Sequence, residues 1–181
     1  YQLTIEPDTL IGQNPPTLPD EETIELIFDS ITDRLTNAGY HNYEISAWAK
    51  PGHQCQHNLN YWRYGDYIGI GAGAHGKITL NNRVFRTTKT SNLHHYLEDS
   101  PISPAEISPD EIVTEFLLNA LRLEEGFSEK LFTKRTGHLF SKIETNVCRA
   151  TEQGLLTSTN QIIKPTKLGR RYLDSLLSIL T

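Results

Sequence analysis

The segment from Gln54 to Asp66 gathers several kinds of chemically useful side chain within thirteen residues. It reads QCQHNLNYWRYGD and carries a thiol at Cys55, an imidazole at His57, three aromatic rings and a guanidinium. A glycine-rich run, 69–76, follows almost at once. Aromatic faces stack on flat ligands, and a neutral imidazole nitrogen can coordinate a metal. The composition therefore predicts a site for a large, flat and partly charged ligand.

A metalloporphyrin matches this set of side chains. His57 is the candidate axial ligand of the iron, and Tyr61 and Trp62 offer flat walls. Cys55 is a second candidate ligand, with a small buried hydrophobe as the alternative. A lone histidine is often only a hydrogen-bonded structural residue, but the neighbours of His57 favour the ligand role. Candidate donors to the propionates are Lys50, Asn58, Asn60 and Arg63.

The run from Gly71 to Gly76, GAGAHG, has the letters of a dinucleotide-binding fingerprint. That fingerprint requires a helix to begin at the third glycine, because the N-terminus of that helix holds the pyrophosphate. The residues that follow, 77–80, have the composition of a strand instead. We therefore reject a dinucleotide site. The glycines favour either close approach of the backbone to a ligand or a tight turn between strands.

The elements before the aromatic segment predict a strand–helix–strand unit. Residues 1–5 and 40–49 have the composition of strands, and 20–38 has helical periodicity. Such a unit implies a parallel pair with a right-handed crossover, and ligands bind beyond the carboxyl ends of parallel strands. These ends lie near Glu6 and Lys50. Glu6 could accept from a ribose or an amine, or form a loop ion pair.

The later elements are short. We predict a strand at 66–70, a hairpin of 77–80 with 83–88, and a helix at 92–99. His94 and His95 on that helix are predicted to be surface residues, and Trp48 of the preceding unit to be core. Prolines then mark a linker at 101–109, which we take as the boundary between a domain of residues 1–100 and one of residues 110–181.

The second predicted domain has the element order of a winged helix. The segment Ser108-Pro109-Asp110-Glu111 predicts a capped helix start. Further predicted helices are 128–136, 139–153 and 166–180, with a strand pair at 155–157 and 161–164. Its basic cluster is Lys164, Lys167, Arg170 and Arg171. Such folds often bind DNA, but the candidate recognition helix, 141–150, has too few cations for a firm phosphate grip. A solvated basic face or a docking surface is the favoured reading.

Composition limits the class of protein. The 181 residues suit one large or two small domains and carry a net charge of −5. Residues 127–181 carry 9 Lys and Arg against 4 Asp and Glu, so the last third is basic. An apolar run of membrane-spanning length is missing. Cys55 and Cys148 form neither a disulfide framework nor a zinc pattern, which predicts a reducing, cytoplasmic location. We expect the chain to be a fragment of a longer protein.

Four motifs resemble one known family. They are YQLTIEP at 1–7, YEISAWAKPG at 43–52, CQHNLNYW at 55–62 and GDYIGIGAGAHG at 65–76. They are similar to the oxygen-independent coproporphyrinogen III oxidase family of radical S-adenosylmethionine proteins, and within it to the branch of heme chaperones. The resemblance covers the whole chain and is most specific at 43–76.

The resemblance implies an α/β fold: the C-terminal part of a partial (β/α) radical S-adenosylmethionine barrel, followed by a small helical, winged-helix-like domain. It implies S-adenosylmethionine and a [4Fe-4S] cluster in the full-length protein, with Thr4, Ala74, His75 and Gly76 bordering the S-adenosylmethionine pocket. The family's cysteine triplet is missing from this sequence, and two distant thiols cannot hold a cubane cluster. The fragment alone should therefore carry no cluster and no catalytic residue.

The resemblance also implies a function. Its heme-associated motif falls on His57, Asn58, Tyr61 and Trp62, with His57 as the axial ligand of the heme iron. The expected activity is that of a chaperone that binds heme and transfers it to respiratory proteins. One alternative is the oxidase itself, which decarboxylates two propionates of coproporphyrinogen III. An alternative from another class is a nucleic-acid-binding winged-helix module.

Overall fold

A computed structural model describes residues 3–98 and 104–181 as a mixture of helices and small sheets, in agreement with the predicted α/β class. The chain divides into two compact units, Tyr1–Gln54 and Cys55–Thr181. Across the described ranges, the helices are all too short or too polar to cross a membrane. The predicted domain boundary at 101–109 stays a prediction.

The first unit consists of two helices and a strand pair. These are α1 (Leu10–Gln13), α2 (Glu21–Asn37), β1 (His41–Glu44) and β2 (Ala47–Ala49). Helix α2 begins where Asp20 accepts a hydrogen bond from the Thr23 amide at 2.8 Å, and it ends before Gly39, whose φ is +80°. The predicted helix is therefore confirmed, with its ends one residue inside the predicted range.

The predicted parallel strand–helix–strand unit is wrong for the described residues. Residues 3–5 form no strand, and residues 1 and 2 lie outside the described ranges. The segment 40–49 folds back on itself, so that β1 and β2 pair antiparallel. Side chains make the turn: Glu44 accepts from the Ser46 amide at 3.0 Å, and the Asn42 amide donates to the Glu44 carbonyl at 2.7 Å.

The residues predicted to lie at the ends of parallel strands therefore have other environments. Glu6 is exposed, and its carbonyl accepts from the Thr9 hydroxyl at 2.8 Å. Lys50 follows β2, and its Nζ lies 5.5 Å from the ring centroid of Tyr40. Trp48, predicted as core, is only half-buried, because a two-stranded hairpin leaves one face of each strand open. Glu6 therefore does not mark the end of a parallel strand.

The second unit opens with the helix that carries the aromatic segment. Its first elements are α3 (Gln56–Trp62), β3 (His75–Leu80), β4 (Arg83–Thr88), α4 (Leu93–Leu97) and β5 (Ala105–Glu106). The predicted hairpin is confirmed, with Asn81 and Asn82 at φ 50° and 61° in its turn. The predicted strand at 66–70 shrinks to one bridge, Tyr67 with Lys77, because only that pair meets β3 in register.

The rest of the second unit has the predicted winged-helix order. Its elements are α5 (Pro109–Ala120), β6 (Phe127–Ser128), α6 (Glu129–Thr136), α7 (Ser141–Glu152), β7 (Leu156–Thr159), β8 (Ile162–Pro165), α8 (Lys167–Arg171) and α9 (Leu173–Leu180). The sheet order is β6-β8-β7. The predicted last helix breaks at Tyr172, whose backbone leaves the helical region with φ −114° and ψ 50°. The capping box of Ser108 and Glu111 is confirmed.

Aromatic rings fill the centre of the second unit. Phe116 lies fully buried, with the ring centroids of Phe127 and Phe132 at 5.0 and 5.4 Å in edge-to-face contact. The same hydrophobic cluster includes Tyr64 and Val84. The end of α3 and the β3–β4 hairpin are therefore built onto the core of the winged-helix part. The predicted linker contributes β5, which pairs with β4, while residues 101–103 lie outside the described ranges.

Candidate functional site

Helix α3 exposes the imidazole of His57 next to an aromatic ring. His57 and Tyr61 are four residues apart and so share one face of the helix. Their ring centroids lie 4.8 Å apart at an interplanar angle of 74°. His57 is exposed and Tyr61 is half-buried, while Leu59 anchors the helix from its buried side. This face therefore offers a nitrogen donor beside an aromatic ring to a ligand in solution.

A second face of α3 contacts the loop after α5. The guanidinium of Arg122 lies 4.5 Å from the ring of Trp62, a cation–π contact. Arg63 donates to the Glu125 carboxylate at 2.7 and 3.2 Å. Trp62 is five residues from His57, so the two side chains point about 140° apart around the helix. The motif is thus divided between the His57 face and an anchoring face.

Tyr64, which follows α3, has a left-handed backbone conformation with φ 53°, which is rare for a bulky residue. Its side chain is 2% exposed, and its hydroxyl donates to Glu115 Oε2 at 2.7 Å. The carbonyl of Tyr64 accepts from Lys77 Nζ at 3.1 Å. Burial, and then the hydrogen bond to Glu115, raise the pKa of the Tyr64 hydroxyl above its usual range. Packing and hydrogen bonds together hold the strained turn in place.

Tyr67 supports the ring of Tyr61. The two ring centroids lie 4.4 Å apart. The Tyr67 hydroxyl accepts from Arg86 Nη1 at 2.7 Å, and Arg86 Nη2 donates to Glu115 Oε2 at 2.6 Å. Burial lowers the pKa of the Arg86 guanidinium, but the hydrogen bond and charge of Glu115 outweigh burial and leave that pKa raised. A continuous set of contacts therefore joins the His57 face of α3 to helix α5.

A buried cation lies under the same turn. Lys77 is 1% exposed, and its Nζ donates to Asp66 Oδ1 at 2.8 Å. The Nζ also lies 4.1 Å from the centroid of the Tyr64 ring. The Thr79 amide and hydroxyl donate to Asp66 at 3.0 and 2.8 Å. Asp66 thus ties the end of α3 to strand β3.

The glycine run forms a tight turn in front of β3. A Cβ at Gly69 would lie 2.1 Å from the His75 carbonyl, and one at Gly76 would lie 2.4 Å from Thr87 Oγ1. The Gly71 amide donates to the Tyr96 hydroxyl at 3.1 Å. Close contacts account for Gly69 and Gly76, and a φ of +111° accounts for Gly71, as the turn alternative requires. Strand β3 begins at His75, where a dinucleotide fingerprint would need a helix.

The remaining candidate residues have separate environments. Cys55 is exposed and precedes α3 without a side-chain capping bond, and Asn58 is half-buried. Asn60 donates to the Asp66 carbonyl at 3.0 Å and Arg63 is paired with Glu125, so both have internal partners. Thr4 is exposed in the first unit. Exposure of His94 and His95 agrees with the prediction of surface residues.

The sequence analysis did not select Tyr67, Arg86 and Glu115, the three residues that lie behind the Tyr61 ring. Tyr67 follows a glycine and an aspartate within one of the quoted motifs, so its position beside the aromatic segment was a usable signal. Arg86 lies on a strand and Glu115 on a helix. Their sequence separations from Tyr67 give no hint that one carboxylate receives hydrogen bonds from two sides.

An iron–sulfur cluster does not fit the described residues. Within 3–98 and 104–181, His, Cys, Asp and Glu side chains nowhere gather in a group of three that could hold a metal. Cys55 and Cys148 are free and exposed. A cubane cluster on protein needs more thiolates than the described residues supply.

Comparisons with known proteins identify one group of relatives. Residues 107–172 match the model of the HemN C-terminal domain. The chain is 45% identical to the heme chaperone HemW of Escherichia coli (strain K12) over 99% of this chain and 48% of that protein. The chain therefore resembles the HemW proteins over nearly its whole length. HemW of Haemophilus influenzae is 39% identical over 99% of this chain and 47% of its own length.

More distant HemW relatives and one solved structure extend the comparison. HemW of Bacillus subtilis (strain 168) is 29% identical over 94% of this chain and 47% of that protein. The chain thus spans about half the length of the curated HemW proteins it matches. The fold matches coproporphyrinogen III oxidase (HemN) from Escherichia coli, described as a radical SAM enzyme, with a TM-score of 0.66. That match covers 98% of this chain and 46% of HemN at 14% identity, so it shows a shared fold.

Proposed function

We propose that this chain is part of a heme chaperone, which binds heme at the His57 face of α3 and transfers it to another protein. The observation that carries the proposal is the exposed imidazole of His57 with the Tyr61 ring 4.8 Å away. The similarity to proteins named heme chaperone HemW supports it. Respiratory heme proteins are the proposed recipients, and we place the protein in the cytoplasm because its two cysteines are free.

In this proposal His57, Tyr61 and Trp62 have distinct roles. A ring nitrogen of His57 coordinates the heme iron, and Tyr61 restrains the imidazole through its ring. Asn58 and Trp62 complete the heme-associated motif, with Trp62 also holding α3 against Arg122. Because His57 lies at the surface, heme bound there stays within reach of a recipient protein. Exposure of the ligand therefore suits transfer better than storage.

The full-length protein is proposed to contain S-adenosylmethionine and a [4Fe-4S] cluster as well. Support comes from the fold shared with HemN. The cluster ligands would lie in a part of the protein outside this chain. Ala74, His75 and Gly76, which belong to the second unit, remain the proposed border of the S-adenosylmethionine pocket. Of these, His75 Nδ1 lies 3.3 Å from Thr88 Oγ1.

Hemin titration tests the ligand role of His57. The full-length protein, His57→Ala and a control, His94→Ala, are each titrated with hemin while the Soret band is recorded. His94 is an exposed histidine on another helix, α4, and so matches His57 in chemistry. We expect the wild-type Soret band to persist in the control and to be lost or shifted in His57→Ala. Identical spectra for all three proteins would remove His57 as the ligand.

A further inference from the structure

The contacts below Tyr61 form a chain that reaches the winged-helix part. From the His57 face inward, the order is Tyr61, Tyr67, Arg86 and Glu115, with a ring contact of 4.4 Å followed by hydrogen bonds of 2.7 and 2.6 Å. These residues come from α3, the turn before β3, strand β4 and helix α5. Four separate elements therefore meet directly behind one face of α3.

Tyr67 is held at both ends of its side chain. Its backbone pairs with Lys77 through two hydrogen bonds of 2.9 Å. Its hydroxyl accepts from a guanidinium whose other nitrogen is held by Glu115. The planar fork of Arg86 can reach both partners at once, which a lysine ammonium on its flexible stem cannot reproduce. The ring of Tyr67 is therefore fixed in orientation against Tyr61.

We propose that Tyr67, fixed by Arg86 and Glu115, is a positioning residue for His57, because it sets the plane of the Tyr61 ring against which the imidazole lies. This inference rests on the proposed function, since it concerns heme held by His57. Groups that bind a metal ligand directly orient it, and their loss commonly weakens metal binding about 10- to 100-fold. Tyr67 acts one contact further out, through Tyr61, so its effect should lie at the lower end of that range. Heme bound at α3 thereby depends on side chains of β4 and α5 that do not touch it.

A matched pair of tyrosines separates positioning from general stability. Tyr67→Phe removes the hydroxyl that binds Arg86, and Tyr67→Leu also removes the ring that contacts Tyr61. Tyr64→Phe removes the other hydrogen bond to the same oxygen of Glu115 but leaves the Tyr61–Tyr67 contact intact. The Tyr64 hydroxyl donates to Glu115 and the Tyr67 hydroxyl accepts from Arg86, which is itself bonded to Glu115. Removal of either hydroxyl should therefore lower the free energy of unfolding by a similar amount. Only the Tyr67 variants should change how heme is held.

The measurement uses the full-length protein loaded with hemin. Heme dissociation is followed by capture in excess apomyoglobin, and the ferric spin state is read by electron paramagnetic resonance, with thermal unfolding of each apoprotein as the stability readout. We expect Tyr67→Leu to speed dissociation about tenfold and to change the spin-state spectrum. Tyr67→Phe and Arg86→Lys should give smaller shifts in the same direction. Tyr64→Phe should leave rate and spectrum unchanged.

The outcomes separate this inference from the function beneath it. If His57→Ala alters the heme spectrum while Tyr67→Leu, Tyr67→Phe and Arg86→Lys do not, the positioning role is wrong and the ligand role stands. If His57→Ala has no effect, the ligand role itself fails. Equal changes in Tyr64→Phe and Tyr67→Phe would assign the network to stability alone. If Tyr67→Leu does not fold, Tyr67→Phe and Arg86→Lys decide.

Discussion

At the scale of single residues, Asp66 and Lys77 show how charge is handled under the α3 turn. Burial lowers the pKa of Lys77, and the hydrogen bond and charge of Asp66 oppose that shift in part. Burial raises the pKa of Asp66, but hydrogen bonds from Lys77 and Thr79 outweigh burial and leave that pKa below its usual value. The charged carboxylate is therefore the form that the folded protein favours.

This preference predicts that the contribution of Asp66 to the free energy of unfolding is lost in acid. Because the pKa of Asp66 is depressed by folding, its contribution is present above the unfolded pKa of about 4 and is lost as the pH falls through the lower folded pKa. Asp66→Asn should lower the free energy of unfolding by about 1 kcal/mol at pH 7, because Lys77 loses its charged partner while solvent screens the partly exposed carboxylate. Urea unfolding at several pH values between 7 and 2.5 measures the difference between the two proteins.

The difference should shrink as the pH falls below about 4, where Asp66 of the unfolded chain becomes protonated, and should level off below the lower pKa of Asp66 in the folded protein. Thr79→Val serves as a control variant, because it removes one hydrogen-bond donor to Asp66 and leaves the carboxylate in place. A constant difference between wild type and Asp66→Asn across the whole pH range would contradict the charge-based account.

At the scale of elements, two glycines with similar backbone angles have different reasons to be glycine. Gly126, at φ +67°, precedes β6, and a Cβ there would lie 2.0 Å from the Ile163 carbonyl oxygen. Gly137, at φ +74°, ends α6, and a Cβ there would meet nothing within 4 Å. Gly126 therefore allows β6 to pair closely with β8, whereas Gly137 only closes a helix.

Alanine substitution at the two positions measures this difference. Gly137→Ala should cost about 1 kcal/mol, the strain of a left-handed alanine. Gly126→Ala carries the same strain and adds a backbone clash, which should cost about 1 to 3 kcal/mol more. Thermal or chemical unfolding of both variants gives the comparison. Equal destabilisation would mean that β6 can shift away from β8 at little cost.

At the scale of the whole chain, the buried hydrophobic cluster belongs to the second unit. Its members run from Tyr64 to Leu180 and include the aromatic centre around Phe116. In the first unit, helix α2 has no buried residue, and Phe28 is 57% exposed. Because burial of apolar surface is the main favourable term in folding, the stability of the chain should arise mostly in the second unit.

Truncation tests this distribution of stability. A chain of residues 55–181 should unfold cooperatively, with a Tm within a few degrees of that of the complete chain of 181 residues. Circular dichroism during heating gives both values. A control chain of residues 83–181 lacks α3 and strand β3, which pairs with β4 along its whole length, so it should unfold at a clearly lower temperature than the 55–181 chain. An unfolded 55–181 chain would contradict this assignment of stability to the second unit.

Local sequence signals determined several helix starts and turns of this chain. Asp20 and the apolar spacing behind it suffice for α2, the Ser108–Glu111 pair suffices for the start of α5, and two asparagines suffice for the β3–β4 turn. Each of these depends on residues within a few positions of one another. The choice of the His57 segment as the candidate site rested in the same way on a cluster of residue types.

The tertiary structure alone decided how these pieces meet. Residues 40–49 have strand-forming composition, yet whether they extend or fold back depends on side-chain bonds across the turn. Trp62 looks like a ligand wall in sequence, and only the fold brings Arg122 over its ring. Tyr67, Arg86 and Glu115 meet across 48 residues of chain. Contacts at that range follow from packing of separate elements, which periodicity and local composition do not encode.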